Sequence, residues 1–459
     1  MASDNQLLLK KRIWRWHFFA GIMVIPFAIL LAATGSIYLF KPQIENYIEN
    51  QINQGSISDK QNIVSSNRLV SQISGANPNA SFRSYTLSKS NDPSVEIEFQ
   101  ENGTRYVYWV DQHDGSVLKK EAKQEQFLNV IRDLHGELLS GNNGSYIVEL
   151  MASWMIVLVV TGLYLWWPKG KPGTSAILTL KQFLLPSLSN TSTREKYKRL
   201  HGAVGLWVSF MILILLLTGL PWTQVWGDGF DRVQAAMNWT SSTSAQARAL
   251  ESKKPLNDGL SLWERTREDE DKQVALESSI TNQLQAISMQ QIITQVSALN
   301  LEHPIVVQPP RGEKGVWTVR SRTANRSARV TVHYDQWTGE ELMRANFSDA
   351  HPVSQAVSYG IALHEGALFG VLNQILGLVT TLGVITLSIT GAVMWWSRRP
   401  NGQLAAPKKP KGYAVPRGVV AITFGLAIFL PMVAISLIVA LILDFSYQKL
   451  SNGREQVAA

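Results

Sequence analysis

Residues 201–219 read HGAVGLWVSFMILILLLTG: a histidine, an almost unbroken apolar run and a closing Thr218-Gly219 pair. Residues 17–35 read HFFAGIMVIPFAILLAATG and repeat this frame, with Thr34 again 17 residues after its histidine. A bilayer core about 30 Å thick requires about 20 apolar residues in helical form. Both runs therefore predict helices that cross a membrane, each with a histidine in its first turn.

A second, longer spacing from histidine to Thr-Gly alternates with the first along the chain. His135 precedes Thr161-Gly162 by 26 residues, and His364 precedes Thr390-Gly391 by the same 26. We interpret the chain as a tandem duplication of helix, domain and helix. Repeats of this kind build a functional site at their interface.

Composition indicates a membrane protein with sizeable soluble parts. Charged residues make up 17% of the chain, against about 25% in a typical soluble protein. The apolar run of the first predicted span, about 23 residues, is longer than the 7–15 apolar residues of a cleaved signal sequence, so it predicts an uncleaved anchor. The fifth predicted span lies outside the duplication. The five predicted spans are Phe18–Phe40, Tyr146–Trp167, Ala203–Trp222, Gly370–Trp396 and Val419–Leu443.

Basic residues collect on one side of these spans. The segment before the first span and the loops after the second and fourth carry 17 Lys and Arg against two acidic residues. The remaining residues hold 26 basic and 33 acidic side chains. Because basic loops stay in the cytoplasm, we expect a cytoplasmic N-terminus and two long loops on the outer side of the membrane. This topology accounts for the net charge of +8 without nucleic-acid binding.

The chain contains no cysteine. This excludes disulfides, thiolate zinc sites, cysteine-ligated iron–sulfur clusters, catalytic thiols and the attachment of c-type haem. The sequence also lacks a Gly-rich dinucleotide fingerprint and a P-loop, and its predicted cytoplasmic loops are too short for a flavin domain. A redox function would therefore require electrons from the membrane quinol pool or from a separate protein.

The two long loops, residues 41–134 and 226–363, share one pattern. Each begins like a helix, continues with alternating apolar residues and ends in a turn, at Asp111–Gly115 and at Asp335–Gly339. Alternation that ends in Asp and Gly is a strand and hairpin signal. We therefore expect two small α+β domains, the second interrupted by a mobile polar insertion at about 241–271.

Four of the eight histidines occupy the repeated positions: His17, His135, His201 and His364. The topology places His17 and His201 at the cytoplasmic face and the other two at the outer face. Neutral imidazole binds haem iron axially, and facing helices supply both ligands. The two levels thus predict two b-type haems, an inner one on His17 and His201 and an outer one on His135 and His364. Two alternatives stay open, namely interfacial anchoring of the span ends and a metal other than haem iron.

Other residues near these positions bear on the haem hypothesis. Glycines beside each histidine allow a flat group to approach the helix backbone. Glu137 and Glu365 would either orient an imidazole or stay solvated, while Arg15 and Arg199 would either pair with haem propionates or anchor the spans. The remaining histidines are expected on domain surfaces or against a substrate: His113, His303, His333 and His351.

Six short motifs at the span ends carry a likeness to a known family. They are Arg15-Trp16-His17, Leu134-His135-Gly136, Arg199–Gly202, Tyr359–Gly366, Gly162–Pro168 and Met394–Pro400. These motifs resemble the PepSY-associated transmembrane family over nearly the whole chain, and the two long loops look like PepSY domains. The family includes bacterial inner-membrane reductases of ferric siderophores that carry b-type haem. The resemblance therefore implies a bacterial inner-membrane protein with a role in iron acquisition.

The predicted fold is an α-helical membrane protein with two small exported α+β, PepSY-like domains and a fifth transmembrane helix after the repeat. The predicted function is electron transfer through two haems to a periplasmic ferric siderophore, with release of Fe(II). The alternatives are a b-type cytochrome for another periplasmic acceptor and a non-redox PepSY binding or regulatory protein. The predicted segments, in chain order, are 1–40, 41–134, 135–167, 168–200, 201–225, 226–363, 364–397, 398–418 and 419–459.

Overall fold

A computed structural model describes residues 2–56, 63–87, 92–168, 181–187, 189, 191–239, 247, 249–253, 286–399 and 416–457. The chain divides into two compact units. The helical unit contains residues 1–40, 130–236 and 363–459, and the sheet unit contains residues 41–129 and 237–362. Most of the predicted polar insertion and parts of both predicted cytoplasmic loops lie outside the described residues.

Helices account for most of the described chain, and in the helical unit they follow the predicted apolar runs. The principal helices are α1 (Ala2–Leu39), α2 (Lys41–Asn53), α3 (Ser66–Ala76), α4 (Phe127–Glu137), α5 (Asn142–Trp166), α6 (Thr193–Gly219), α7 (Gln224–Ala236), α8 (Met289–Ser297), α9 (Pro352–His364), α10 (Val371–Trp396), α11 (Arg417–Phe429) and α12 (Pro431–Val457).

Four long helices, α1, α5, α6 and α10, form the bundle of the helical unit. Each is long and apolar enough to cross a membrane. Helix α1 packs against α5 and α10, and α6 packs against the same two helices, so α1 faces α6 across the bundle. Glycine allows membrane helices to approach closely, as where Gly377 of α10 lies against Leu39 and Gly383 lies against Val208.

The segments that carry His135 and His364 are separate short helices. Helix α4, which carries His135, ends before α5 begins, and α9 is likewise separate from α10. Gly141 and Gly370, each directly before a span, have φ angles of 58° and 56°. Glycine adopts such angles without steric cost. The His135 segment therefore leads into the second span as a helix of its own.

The predicted fifth span is not a continuous helix. Helices α11 and α12 are bent by 116° where they meet, with Leu430 in an extended conformation between them. The residue before a proline is disfavoured in the helical region, and Pro431 imposes that restriction on Leu430. The 13 residues of α11 are about 20 Å long at 1.5 Å per residue, less than the bilayer core. The structure therefore supports four spans and a bent helix pair.

The sheet unit contains one antiparallel sheet of eight strands, in the order β4-β3-β2-β1-β5-β6-β7-β8. Each predicted domain supplies four strands, and the halves join where Tyr85 of β1 pairs with Val307 of β5. The two predicted domains thus form one unit instead of two, because each half covers an edge strand of the other, whose backbone groups would otherwise be unpaired. The strands are β1 (Ser81–Leu87), β2 (Ser94–Glu101), β3 (Thr104–Asp111), β4 (Val117–Ala122), β5 (Ile305–Gln308), β6 (Val316–Ser321), β7 (Val330–Asp335) and β8 (Glu341–Asn346).

The predicted turns form at the ends of β3 and β7. Gly115 and Gly339 have φ angles of 80° and 73°, and their N–H groups donate to the carbonyls of Asp111 and Asp335 at 2.9 and 3.0 Å. The side chain of Asp111 accepts the N–H of His113 at 2.8 Å, and that of Asp335 accepts two N–H groups of its own turn at 2.7 and 3.0 Å. Asp and Gly therefore mark both turns for the expected physical reason, since one satisfies backbone donors and the other supplies the positive φ.

One face of the sheet packs against α3 and α8 around a shared apolar core. Helix α3 comes from the first half and α8 from the second. Gln290 of α8 accepts hydrogen bonds from the N–H and the hydroxyl of Ser66 in α3, both at 2.9 Å. The two halves therefore share one core. Its fully buried members include Ile97, Phe99, Ile292, Val307 and Val319.

Glu96 gives the sheet unit a predicted pH dependence. Burial, together with the carboxylate of Glu49, raises the pKa of Glu96 to about 7. In the unfolded chain that pKa is about 4.3, so the folded unit binds the extra proton and loses stability as the pH rises from there through 7. We expect Glu96→Gln to stabilise the unit by roughly 1–3 kcal/mol at pH 8.5 and to have no effect at pH 4. Pulse proteolysis of the full-length protein in urea measures both values.

A matched control is Glu121→Gln on the same sheet, where Glu121 pairs with Lys119 at 2.9 Å. Such partly exposed ion pairs contribute about 0–1 kcal/mol, so this variant should change little at either pH. A gain from Glu96→Gln that is equal at pH 4 and pH 8.5 would contradict the assignment to ionisation.

Candidate functional site

The four histidines at the repeated positions come together in two pairs within the helical unit. The rings of His17 and His201 have their centroids 6.4 Å apart, with their planes at 85°. The rings of His135 and His364 have their centroids 6.3 Å apart, with their planes at 77°. These are the partners that a shared depth in the membrane predicts.

The bundle geometry explains the first pair. His17 lies on α1 and His201 on α6, which are diagonal partners. The two rings therefore face each other across the bundle interior and not along a helix surface. The second pair lies at the C-terminal ends of α4 and α9, the short helices that precede α5 and α10. Each pair takes one histidine from each copy of the duplication.

Every imidazole contacts a Thr-Gly pair of a neighbouring helix. Each histidine Nδ1 lies within hydrogen-bonding distance of one threonine hydroxyl, and the adjacent glycine approaches the ring, where an added Cβ would stand 3.2–3.7 Å from Cε1. The Nδ1–Oγ1 distances are 2.9 Å for His17 with Thr161, 2.9 Å for His135 with Thr34, 2.9 Å for His201 with Thr390 and 3.1 Å for His364 with Thr218. The repeated Thr-Gly pairs thus belong to the candidate site together with the histidines.

The spacing within each pair suits an axially ligated metal ion. A metal–imidazole bond is about 2.0–2.1 Å long, and a ring nitrogen lies roughly 1.1 Å from the ring centre. Two imidazoles on opposite sides of one metal would then have centroids about 6.2 Å apart, close to the two separations observed. No group of three or more His, Cys, Asp or Glu side chains converges within the described part of the chain. A metal at either pair would therefore take its other ligands from a group such as a porphyrin.

A cavity of about 590 Å³ surrounds the first pair. This volume lies within the 300–1,000 Å³ of sites that hold small molecules and cofactors. Five glycines of the helices line it, and its wall is otherwise mainly apolar. Its basic lining residues are Lys10, Lys11, Arg194, Lys198 and Arg398.

Those cations are not the arginines that the sequence singled out. The Arg15 guanidinium lies over the Phe19 ring at 5.0 Å, and Arg199 is 3.4 Å from Glu195. Neither side chain lines the cavity. Arg194 and Arg398 do, and Arg398 is distant in sequence from both histidines, whereas Arg194 is on the same helix as His201. Only the bundle brings them to one opening, so spacing alone did not identify them.

A family model described as the PepSY-associated TM region matches residues 14–398. The chain belongs to this family. The PepSY-associated match includes all four histidines and all four Thr-Gly pairs, whereas α11 and α12 follow it. No curated protein matches the chain.

Three of the remaining histidines have contacts within the sheet unit. In this PepSY-associated protein, His333 is buried in the sheet with Nδ1 at 3.1 Å from the Thr318 hydroxyl. His351 stacks on Trp239, with ring centroids 6.2 Å apart. His303 lies 3.3 Å from the Leu87 carbonyl. These contacts give His333, His351 and His303 structural roles.

Proposed function

We propose that this protein is an inner-membrane reductase that binds two b-type haems. It would carry electrons across the membrane to a ferric siderophore in the periplasm and release Fe(II). The observation that carries the proposal is the presence of two histidine pairs in one bundle, each with the ring separation expected for two axial ligands. Interfacial anchoring of span ends does not require histidines to face each other in pairs.

The two pairs are separated by most of the thickness of a bilayer. His17 and Thr34 are both on α1, and Thr34 contacts His135 of the second pair. The 17 residues between His17 and Thr34 correspond to about 26 Å along a helix, against a bilayer core of about 30 Å. Redox groups at the two levels would thus connect one membrane face with the other.

The chain's own residues account for binding and orientation. One histidine pair would hold the haem iron at each level, and the apolar bundle would exclude water from it. The glycines leave room for a flat macrocycle against the helices. The five cations that line the inner cavity suit the two propionate carboxylates of haem. Haem, when bound, supplies the capacity to accept and donate one electron at a time.

The proposed acceptor rests on the resemblance to a family that includes ferric-siderophore reductases. One electron converts Fe(III) to Fe(II) in the chelate, and the iron–oxygen coordination bonds then break as the metal leaves. The hard oxygen donors of siderophores hold Fe(III) far better than the softer Fe(II), so reduction releases the metal. The donor would be membrane quinol or a separate protein, since the sequence contains no nucleotide-binding fingerprint of its own.

A reduced-minus-oxidised absorption spectrum of the detergent-purified protein tests the proposal. We expect sharp b-type bands and about two haems per chain, as four histidine ligands at two per iron require. A colourless protein from a haem-replete host would overturn the redox function and favour a binding or regulatory role.

The acceptor is tested separately in proteoliposomes. Vesicles with an impermeant reductant inside receive a ferric siderophore and a chromogenic Fe(II) chelator outside. Fe(II) should appear only with wild-type protein and not with His364→Ala. Reduction of other external acceptors, but of no ferric siderophore, would instead favour a b-type cytochrome with a different acceptor.

A further inference from the structure

We infer that the four threonines of the Thr-Gly pairs are positioning residues that hold each histidine in one tautomer, with the proton on Nδ1 and the lone pair on Nε2. Each Thr-Gly pair with its histidine is called a cradle below. The inference rests on the proposed function, because it assigns the cradles a role toward haem iron. The four threonines are Thr34, Thr161, Thr218 and Thr390.

The hydroxyl proton of each cradle threonine has an acceptor on its own helix. A hydroxyl group has one proton to donate and two lone pairs to accept with. Every cradle threonine lies closest to the carbonyl of the residue four positions earlier, so its single proton is committed there. The distances are 2.8 Å for Thr34 to Leu30, 2.7 Å for Thr161 to Val157, 2.8 Å for Thr218 to Ile214 and 2.7 Å for Thr390 to Thr386.

The threonine oxygen determines which atom of the histidine bond carries the proton. Because the hydroxyl proton is used, the threonine oxygen can only accept from Nδ1. A hydrogen bond between the two atoms then requires the proton on the ring nitrogen. The Nδ1–Oγ1 distances of 2.9–3.1 Å therefore assign that proton to Nδ1 in all four histidines.

A neutral imidazole with its proton on Nδ1 has its lone pair on Nε2. That nitrogen is then the one able to bind a metal. A hydrogen bond from the other ring N–H also orients a metal-binding imidazole and increases its basicity. Each cradle would thus prepare its histidine for axial ligation before haem enters.

The cradles also interlock the two helices of each repeat. Helix α1 carries His17 and provides the cradle of His135, while α5 provides the cradle of His17. The second repeat is arranged in the same way, with α6 and α10 in these roles. The equal spacings of 17 and 26 residues therefore reflect a constraint. A shift of α1 would misplace both a ligand and a cradle, and a shift of α5 would misplace the cradle of His17.

Removal of one hydroxyl tests the inference at one haem at a time. Thr161→Val should affect only the haem on His17 and His201, and Thr34→Val should affect only the other haem. We expect a weakening of haem affinity by about 10–100-fold, as for other partners of metal-binding histidines. The less basic imidazole should favour Fe(II), and a tenfold difference between the two oxidation states equals about 59 mV for one electron.

The measurements are potentiometric titration of each haem and haem retention in urea, made on the full-length protein. Thr161→Ser and Thr34→Ser should restore wild-type values, because serine keeps the hydroxyl. The matched control is Thr423→Val, since Thr423 bonds to the Val419 carbonyl on an exposed face of α11 and belongs to no cradle. Valine variants that match this control in both potential and haem retention would overturn the inference.

A measurement on the wild-type protein covers the case in which the valine variants do not fold. Nitrogen NMR of ¹⁵N-histidine protein in the reduced, diamagnetic state should show a proton on Nδ1 of all four ligands. A proton missing from Nδ1 there would refute the inference while two histidine-dependent haems left the proposed function intact. A protein without haem would instead refute the proposed function.

Discussion

Replacement of His17 or His201 by alanine should remove one haem and leave the other in place. Both variants should lose the same haem, because the two rings lie on opposite sides of one gap with centroids 6.4 Å apart. His135→Ala and His364→Ala should both lose the other haem. In each case the b-type absorbance should fall by about half, as one of two bis-histidine sites is lost.

The cross-repeat pairing makes this prediction specific. A protein whose haems were held within each repeat would group His17 with His135 instead. Redox titration or low-temperature electron paramagnetic resonance identifies which haem survives, so the two groupings are distinguishable. His333→Ala is the control, since this buried histidine is in the sheet unit and bonds to Thr318, and it should keep two haems. Equal losses from His17→Ala and His135→Ala of one and the same haem would refute the pairing.

Gly144→Ala should prevent stable assembly of the segment that presents His135. A Cβ added at Gly144 would stand 1.6 Å from the carbonyl oxygen of Glu137 and 2.4 Å from its carbonyl carbon. Both atoms belong to the backbone, so no side-chain rotation relieves the clash. Moderate overpacking costs about 1–3 kcal/mol, and we expect this backbone clash to cost more than about 3 kcal/mol. The closeness arises because α4 ends beside the first turn of α5.

The expected result is loss of the haem on His135 and His364, with much reduced thermal stability of the purified protein. Gly229→Ala is the control, because Gly229 is within helix α7 and has no atom within 4 Å of its added Cβ. Alanine there should stabilise by about 0.5–1 kcal/mol through helix propensity. A Gly144→Ala protein with wild-type melting temperature and two haems would show that the two helices separate easily.

The candidate site was partly accessible from the sequence. Equal spacings from histidine to Thr-Gly identified both the ligand candidates and their neighbours, and depth in the membrane identified the partners. The threonines were visible as a repeat but their role was not, since Thr161 is 144 positions from His17 and Thr34 is 101 positions from His135. A hydrogen bond over such a separation depends on which helices are adjacent, which a periodic pattern does not specify.

The bent helix pair shows the same limit for the fold. Residues 419–443 are uniformly apolar, so length and hydropathy predict one span. Pro26 is inside α1, which nevertheless continues as one helix to Leu39, whereas the chain turns at Leu430 before Pro431. Neighbours distinguish the two prolines. At the turn Trp226 of α7 donates to the Phe429 carbonyl at 3.1 Å, and such partners satisfy backbone groups that a broken helix exposes.

By itself, the sequence determined the features that depend on local composition and on internal repetition. These are the four apolar spans, the strand and turn pattern of the long loops, the duplication and the two levels of histidine. Each follows from short-range chemistry, such as apolar length or the φ that glycine permits. The tertiary structure decided the rest: the merging of two predicted domains into one sheet, the bend at Leu430 and the cradles. These depend on which distant backbone and side-chain polar groups satisfy one another once packing excludes water.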